Sequence, residues 1–311
     1  MRYRNYGNLD AKVSEIGFGA WQLGNGTDWT PMTHDEAIQL VHTALAQGCT
    51  FFDTAPGYAH GTSEQLLGEA LEGRRDQVVI NTKVGHTAEG STDFSAQAIR
   101  RSVEASLARL RTSYVDSVLL HNPPQECLRG DSTQMRALQQ LQDEGIVHAY
   151  GASVDKLDDM ETVLNTSGSH AMEILFNIFS QANAHAFAKA QENRVGLIVK
   201  VPLDSGWLGG KYDKTSRFTG IRRRWSEEVI ARRADFVERI RFVEEDGATL
   251  AQAALRFILA HPEISTVIPG AKNIAQWEEN ASASEAEMPP HTVERLHRFW
   301  EETLKDDPLP W

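Results

Sequence analysis

Only two cysteines, Cys49 and Cys127, occur in 311 residues, and neither belongs to a CxxC or metal-ligand spacing. A reducing compartment is the simplest setting for such a chain. Positive charge is also short: 31 Lys and Arg stand against 43 Asp and Glu, for a formal net charge of −12. Nucleic acid and anionic membranes require a basic surface, so neither is expected as a main partner. Nowhere do about 18 uncharged apolar residues run together, as a membrane span would need. The opening MRYRNYGNLDAK has no apolar signal-peptide region, so a cytoplasmic location is expected. No Pro/Ser/Gly-rich linker interrupts the chain, so a single domain over residues 1–311 is expected. HxH, HExxH and GxSxG are absent, which removes the usual signatures of a metal centre (expected metal: none) and of a serine hydrolase.

What is present is an alternation. Short β-branched runs at Val13–Gly19, Cys49–Asp53, Val78–Lys83, Val115–His121, Val147–Ala152, Met172–Asn177, Gly196–Val201 and Ser265–Pro269 are separated by segments of helical period. Thr33–Glu36, Thr62–Gln65 and Thr249–Gln252 read as capping boxes, and Ser95 as an N-cap. Apolar stripes follow at Ile99, Val103, Leu107 and Leu110, and at Met135, Leu138 and Leu141. A third stripe, Val229, Phe236, Ile240 and Val243, is interrupted by Arg233. Eight strands, each followed by a helix, predict a (β/α)8 TIM barrel with an N-terminal segment capping it and extra helices at the C-terminus. The rival is an open doubly wound sheet. Against it, the first strand runs into GFGAWQLGNGTDWT, not into a GxGxxG turn opening a helix.

Barrel enzymes gather their chemistry at the C-terminal ends of strands. Asp53, Lys83 and His121 end three consecutive strands, and Tyr58 follows Asp53 on a Pro-Gly turn. Alone, each reads as a turn residue, a strand-end charge or a packing residue. Together they are equipment for reducing a carbonyl or oxidising an alcohol. Lys83 is expected to favour ionisation of the Tyr58 phenol, Asp53 to hold the ammonium, and His121 to orient a carbonyl oxygen. Tyr58 then acts as general acid or base. The set lacks a hydride, so a cofactor is required.

FFDTAPGY, NTKVG and YVDSVLLHNP resemble the second-, third- and fourth-strand motifs of the aldo-keto reductase superfamily. The likeness extends from GFGAWQLG to VIPGAKNIAQWEEN. It implies a bacterial NADP-dependent reductase, with Asp53, Tyr58, Lys83 and His121 as catalytic tetrad. It further implies NADPH/NADP+ bound in the barrel, with NADH possible, and an aldehyde, ketone or sugar as small-molecule substrate. Ser153 and Glu173 fall where the family contacts the carboxamide, although Val154 replaces the usual asparagine. Lys200 takes the place of the aromatic that stacks on the nicotinamide. Leu203, Ser205, Gly206, Leu208 and Lys211 in VPLDSGWLGGKY correspond to the pyrophosphate loop. Gly270, Lys272, Gln276, Glu279 and Asn280 correspond to the adenosine 2′-phosphate site, with Lys272 its main cation.

Trp21, His121 and Asn122 are the substrate-side expectations, and Trp29, Trp207 and Trp225 are further pocket candidates on strand-end loops. Arg222, Arg223 and Arg224 read either as a solvated run or as a cluster steering a phosphorylated ligand. His60 reads as a rim residue for substrate contact or loop packing. Two alternatives stand beside the reductase: a cofactor-binding regulatory subunit like those of potassium channels, and a barrel isomerase without redox cofactor. Oligomeric state is open.

Overall fold

The protein is described here by a computed structural model over residues 1–244 and 247–310. An antiparallel hairpin comes first, β1 (Tyr3–Asn5) with β2 (Lys12–Ser14). The barrel strands are β3 (Phe18–Gly19), β4 (Phe51–Asp53), β5 (Val79–Val84), β6 (Val115–His121), β7 (Val147–Val154), β8 (Ala171–Leu175), β9 (Gly196–Lys200) and β10 (Ile264–Val267). They lie side by side in chain order, every pair parallel. The two ends of the sheet meet where Ile16 bridges Val267, with the Gly17 N–H on Val267 O at 2.8 Å and the Val267 N–H on Glu15 O at 2.9 Å. The sheet therefore closes as the (β/α)8 barrel that the alternation predicts, and closure removes the free edges.

Helices α1 (His34–Ala46), α2 (Thr62–Ala70), α3 (Ala96–Leu110), α4 (Thr133–Asp143), α5 (Leu157–Thr166), α6 (Phe187–Glu192), α7 (Glu227–Arg239) and α8 (Leu250–Leu259) lie between the strands, with α9 (Ile274–Ala281) and α10 (Pro290–Thr303) following the barrel. Thr33 and Thr249 make complete capping boxes with Glu36 and Gln252, and Ser95 caps α3 through the Ala98 N–H. Thr62 does not cap. Gly61, at φ 86°, turns the chain into α2 and Thr62 is already helical. The expected first strand is also divided: Val13 belongs to the hairpin, and only Phe18–Gly19 joins the barrel as strand.

That division decides which mouth is open. Tyr6 of the hairpin packs edge-on against Phe51, with ring centroids 5.4 Å apart. Around them lie Val79, Leu119, Ala149, Ala171 and Ile198, inward residues of successive strands. Each fully buried Val, Leu, Ile or Phe side chain here contributes roughly 1.5–3 kcal/mol, and the alanines less. The hairpin plugs the N-terminal mouth and leaves the C-terminal mouth for a site. Arg233, which interrupts the stripe of α7, points inward and is ion-paired to Asp204 in the loop after β9. Its second nitrogen donates to Pro310 O at 2.7 Å, which fastens the C-terminal tail to the same arginine. Among the described residues no helix is long and apolar enough to cross a membrane.

Strand spacing leaves Gly151 no room for a side chain. A Cβ at Gly151 of β7 would stand 1.8 Å from the Ala171 carbonyl of β8, whereas one at Gly145 meets nothing within 4 Å. Gly151→Ala is predicted to lose about 3 kcal/mol of stability or to fail to fold. Gly145→Ala, strained only by its φ of 74°, is predicted to lose about 1 kcal/mol. Thermal denaturation of the two variants checks this, and a Gly151→Ala protein melting with the wild type would contradict it.

Candidate active site

Parallel register brings the ends of β4, β5 and β6 to one level, with Asp53 beside Asn81 and Lys83 beside Leu119. The Lys83 Nζ lies 2.6 and 2.7 Å from the two carboxylate oxygens of Asp53, 3.1 Å from Thr54 O and 3.4 Å from the Tyr58 hydroxyl. The His121 ring stands edge-on to Tyr58 with centroids 6.0 Å apart. The structure thus brings together the four side chains singled out in the sequence. It adds a fifth in an unforeseen place: the Glu173 Oε2 of β8 is 3.0 Å from the same ammonium. Asp53, Lys83 and Glu173 are all buried.

This group rests on a chain of hydrogen bonds running down to the hairpin plug. Asn81 Nδ2 donates to Asp53 Oδ1 at 2.7 Å, Ser117 Oγ donates to Asn81 Oδ1 at 2.6 Å, and the Tyr6 and Ser117 hydroxyls bond at 2.8 Å. Tyr58 is placed by a tight reversal. Its N–H donates to Ala55 O at 3.1 Å, and Ala59 and His60 follow in left-handed conformations, φ 48° and 54°. Two successive non-glycine residues in that region store about 1–3 kcal/mol each. A ring nitrogen of His60 bonds Ala88 O at 2.8 Å, so His60 ties this turn to the loop after β5 and does not line the cavity.

Burial raises the Asp53 carboxyl to about 8, and the Glu173 charge adds to the effect. Glu173 is also disfavoured by burial, but Lys83 and Lys200 outweigh this and hold it below the ordinary range. The two carboxylates titrate together, and burial with their mutual repulsion favours keeping a proton on the pair. Burial opposes the charge of Lys83, yet the two carboxylates overcome it and keep the ammonium protonated. His121 is driven well below its usual value by burial, then by Lys83, Lys200 and His86, so its ring is neutral and retains one N–H. Tyr58 departs from expectation. Burial, reinforced by Asp53 and Glu173, outweighs Lys83, and the phenol is raised rather than lowered. It holds its proton throughout the neutral range, as a proton donor must.

On the far side, Ser153 Oγ donates to Glu173 Oε1 at 3.1 Å and accepts from Lys200 Nζ at 2.9 Å. Lys200 also reaches Asn122 Oδ1 at 2.9 Å and Asp155 at 2.8 Å. A continuous cavity of about 790 Å³ covers these groups and extends to the start of α9. Tyr58, His121, Asn122, Glu173 and Lys200 line one end, and Trp21 and Trp29 line a wall that reaches Gly270. Leu203, Ser205, Gly206 and Lys211 line the middle, and Gly270, Lys272, Gln276, Glu279 and Asn280 the other end. Asn273 caps α9 through the Gln276 N–H, and the Gln276 side chain accepts from the Lys272 N–H at 3.0 Å. That helix start beside an exposed lysine suits an anion.

Some expected residues stand elsewhere. Leu208 is buried beneath the loop, its N–H on Leu203 O at 3.1 Å. The Gly206 N–H is bonded to the same carbonyl at 2.8 Å. Ser153 lies behind the cavity wall. Trp207 and Trp225 pack with Tyr212 and Phe218 in an aromatic cluster and leave the pocket to Trp21 and Trp29. Arg222 is not a solvated surface residue: its guanidinium holds Ser205 O and Asp28 O, 5.9 and 5.8 Å from the Trp21 and Trp29 rings. Sequence reasoning missed Asn81, Asp155 and Gln22. A polar residue inside an apolar run was the available signal for Asn81 and Gln22.

The cavity fits a nicotinamide dinucleotide. The buried amide of Gln22 and the Nδ1 of His121 have no hydrogen-bond partner, and both residues line it. A Cβ at Gly270 would meet Trp29 at 2.7 Å, so glycine keeps that wall open. Among the described residues no three His, Cys, Asp or Glu side chains gather as a metal-ligand group.

Comparison with known proteins matches this geometry. The chain is 30% identical to the L-galactose dehydrogenase of Arabidopsis thaliana over 91% of its own length and 88% of the relative's. It is 29% identical to an Arabidopsis thaliana protein named "Probable voltage-gated potassium channel subunit beta", covering 91% of each. Its fold superposes on an aldo-keto reductase of Bacillus halodurans in the holo form with a TM-score of 0.82 at 26% identity, over 99% of both chains. The sequence model of the Aldo/keto reductase family matches residues 15–301. A strand-end tetrad in a closed barrel and a family match along nearly the whole of it lead to one statement: this chain belongs to the aldo/keto reductase family of oxidoreductases.

Proposed function

We propose that this single-domain barrel is an NADP-dependent reductase of aldehydes or ketones, able in reverse to oxidise an alcohol or sugar hydroxyl. The observation that carries the reading is the contact of a fully buried Lys83 with both Asp53 and the Tyr58 hydroxyl at the floor of the cavity. NADPH, when bound, supplies the hydride for the carbonyl carbon. Everything else falls to the protein. The neutral His121 ring donates its N–H to the carbonyl oxygen and sets the carbonyl's direction. Tyr58 gives its proton to that oxygen as negative charge develops, and Lys83, 3.4 Å away, stabilises the phenolate left behind. Asp53 keeps the ammonium pointed at Tyr58. The raised Tyr58 value belongs to the protein without substrate, and it favours proton retention until charge appears on the oxygen.

Ser205 and Lys211 would hold the pyrophosphate, and Lys272 with the α9 start the 2′-phosphate. Gln276, Glu279 and Asn280 would hold the adenosine. Trp21, Trp29 and Asn122 border the substrate end. A second reading, a cofactor-binding regulatory subunit, draws on the likeness to the channel-subunit relative. It predicts dinucleotide binding without turnover across a panel of aldehydes, ketones, sugars and sugar phosphates.

Tyr58→Phe is predicted to lower kcat for any substrate found by 100-fold or more, on the order of a general-acid contribution. NADPH affinity should stay within about twofold, because the phenol is assigned to the substrate. Steady-state kinetics and fluorescence titration check both, and retained turnover would remove Tyr58 from the role. Lys272→Ala is predicted to weaken NADPH about tenfold, the scale of a lost charge-assisted contact, and to leave NADH nearly unchanged. Equal affinities of the wild type for the two dinucleotides would sink the NADP assignment.

A further inference from the structure

We infer that Glu173 makes this site hold the oxidised, positively charged form of its nicotinamide dinucleotide more tightly than the reduced form. The inference rests on the dinucleotide reading above and goes beyond it. Two buried carboxylates converge on one ammonium: Asp53 at 2.6 and 2.7 Å and Glu173 at 3.0 Å from Lys83 Nζ. Their side chains are 3% and 2% exposed, and that of Lys83 is 0%. One positive charge cannot balance two negative ones, and side chains so little exposed are only weakly screened by solvent. Glu173 Oε2 has the ammonium as its partner, and Oε1 accepts a hydrogen bond from Ser153.

The surrounding groups do not cancel the excess. Lys200 on β9 is the next cation, but its ammonium is 2.8 Å from Asp155. Tyr58 on the loop after β4 and His121 on β6 are neutral, the first raised and the second lowered chiefly by burial. With both carboxylates ionised, Asp53, Glu173 and Asp155 face Lys83 and Lys200, leaving one net negative charge. Without a cationic ligand, the carboxylate pair relieves it by keeping a proton.

Glu173 lines the same end of the cavity as Tyr58 and His121. A ring that passes hydride to a carbonyl held by those two residues must lie at that end. The two redox forms share every phosphate, ribose and adenine contact and differ in the charge of this ring. Their affinity ratio therefore isolates what the cavity floor does to a positive charge. A cation arriving there takes the place of the shared proton. Affinity for the oxidised form should rise as pH rises toward about 8 and level off above it, while that for the reduced form stays level.

The test is calorimetric titration of NADP+ and NADPH into wild type and Glu173→Gln, each first checked for a cooperative melt. The glutamine is expected to weaken NADP+ relative to NADPH by about tenfold. In the wild type, repeating the titrations at pH 7 in two buffers of different ionisation enthalpy is expected to show more proton release with NADP+ than with NADPH. An unchanged ratio of dissociation constants would overturn the role of Glu173. Should Glu173→Gln not fold, the wild-type proton counts decide, and equal counts overturn it. If neither form binds the wild type, the dinucleotide reading fails as well; if both bind at an unchanged ratio, only this inference fails.

Discussion

A lysine ammonium with no exposure to water is tolerable only against carboxylate, and the contact between Lys83 and Asp53 is the constraint around which this barrel's upper end is organised. Asp53 must end β4 and Lys83 must lie near the end of β5 for the pair to form, so the parallel register of those strands is part of the interaction. Asn81 and Ser117 fill the remaining hydrogen-bonding capacity below, and Tyr6 of the N-terminal hairpin closes the line. The plug at one mouth and the chemistry at the other are thus the two ends of one buried polar column. Dry apolar layers around that column keep its electrostatics strong.

The loops supply what the strands cannot. Consecutive left-handed residues after Tyr58 turn its hydroxyl back over Lys83, and His60 pins the reversal to the loop after β5. After β9, Val201, Asp204 and Ser205 also adopt positive φ, and Asp204 is anchored to the buried Arg233 of α7. Arg222 then draws the far part of that loop onto the segment around Asp28. Strained backbone of this kind persists where surrounding contacts over-determine it, and such places are commonly functional.

Much of this was legible in the chain, for identifiable reasons. Val115–His121 is a mainly apolar run, broken by Asp116 and Ser117 and ended by a histidine, and the strand has those bounds because its faces are largely covered. Asp53, Lys83 and His121 stood out because charge at the end of such a run has no packing purpose. The division of Val13–Gly19 was not legible, since pairing with the hairpin or with the barrel depends on a partner far away in sequence. Trp207 and Trp225 were misassigned for a related reason: their partners Tyr212 and Phe218 lie in the same loop, whose path no periodicity describes. Arg233 announced itself by breaking a stripe, but Asp204 as its partner did not. The effect of Lys83 on Tyr58 was foreseen in sign, and the larger opposing effect of burial, reinforced by Asp53 and Glu173, needed the three-dimensional arrangement.

Interdependence of Asp53 and Lys83 is the physical core of this picture, and a double-mutant cycle measures it directly. Asp53→Asn, Lys83→Met and the double variant, each confirmed as folded, are compared by kcat/KM for reduction of one carbonyl substrate. If Asp53 acts by holding the ammonium against Tyr58, the double variant loses no more than Lys83→Met alone. Losses that multiply, so that Asp53→Asn still lowers the rate once the ammonium is gone, would contradict it.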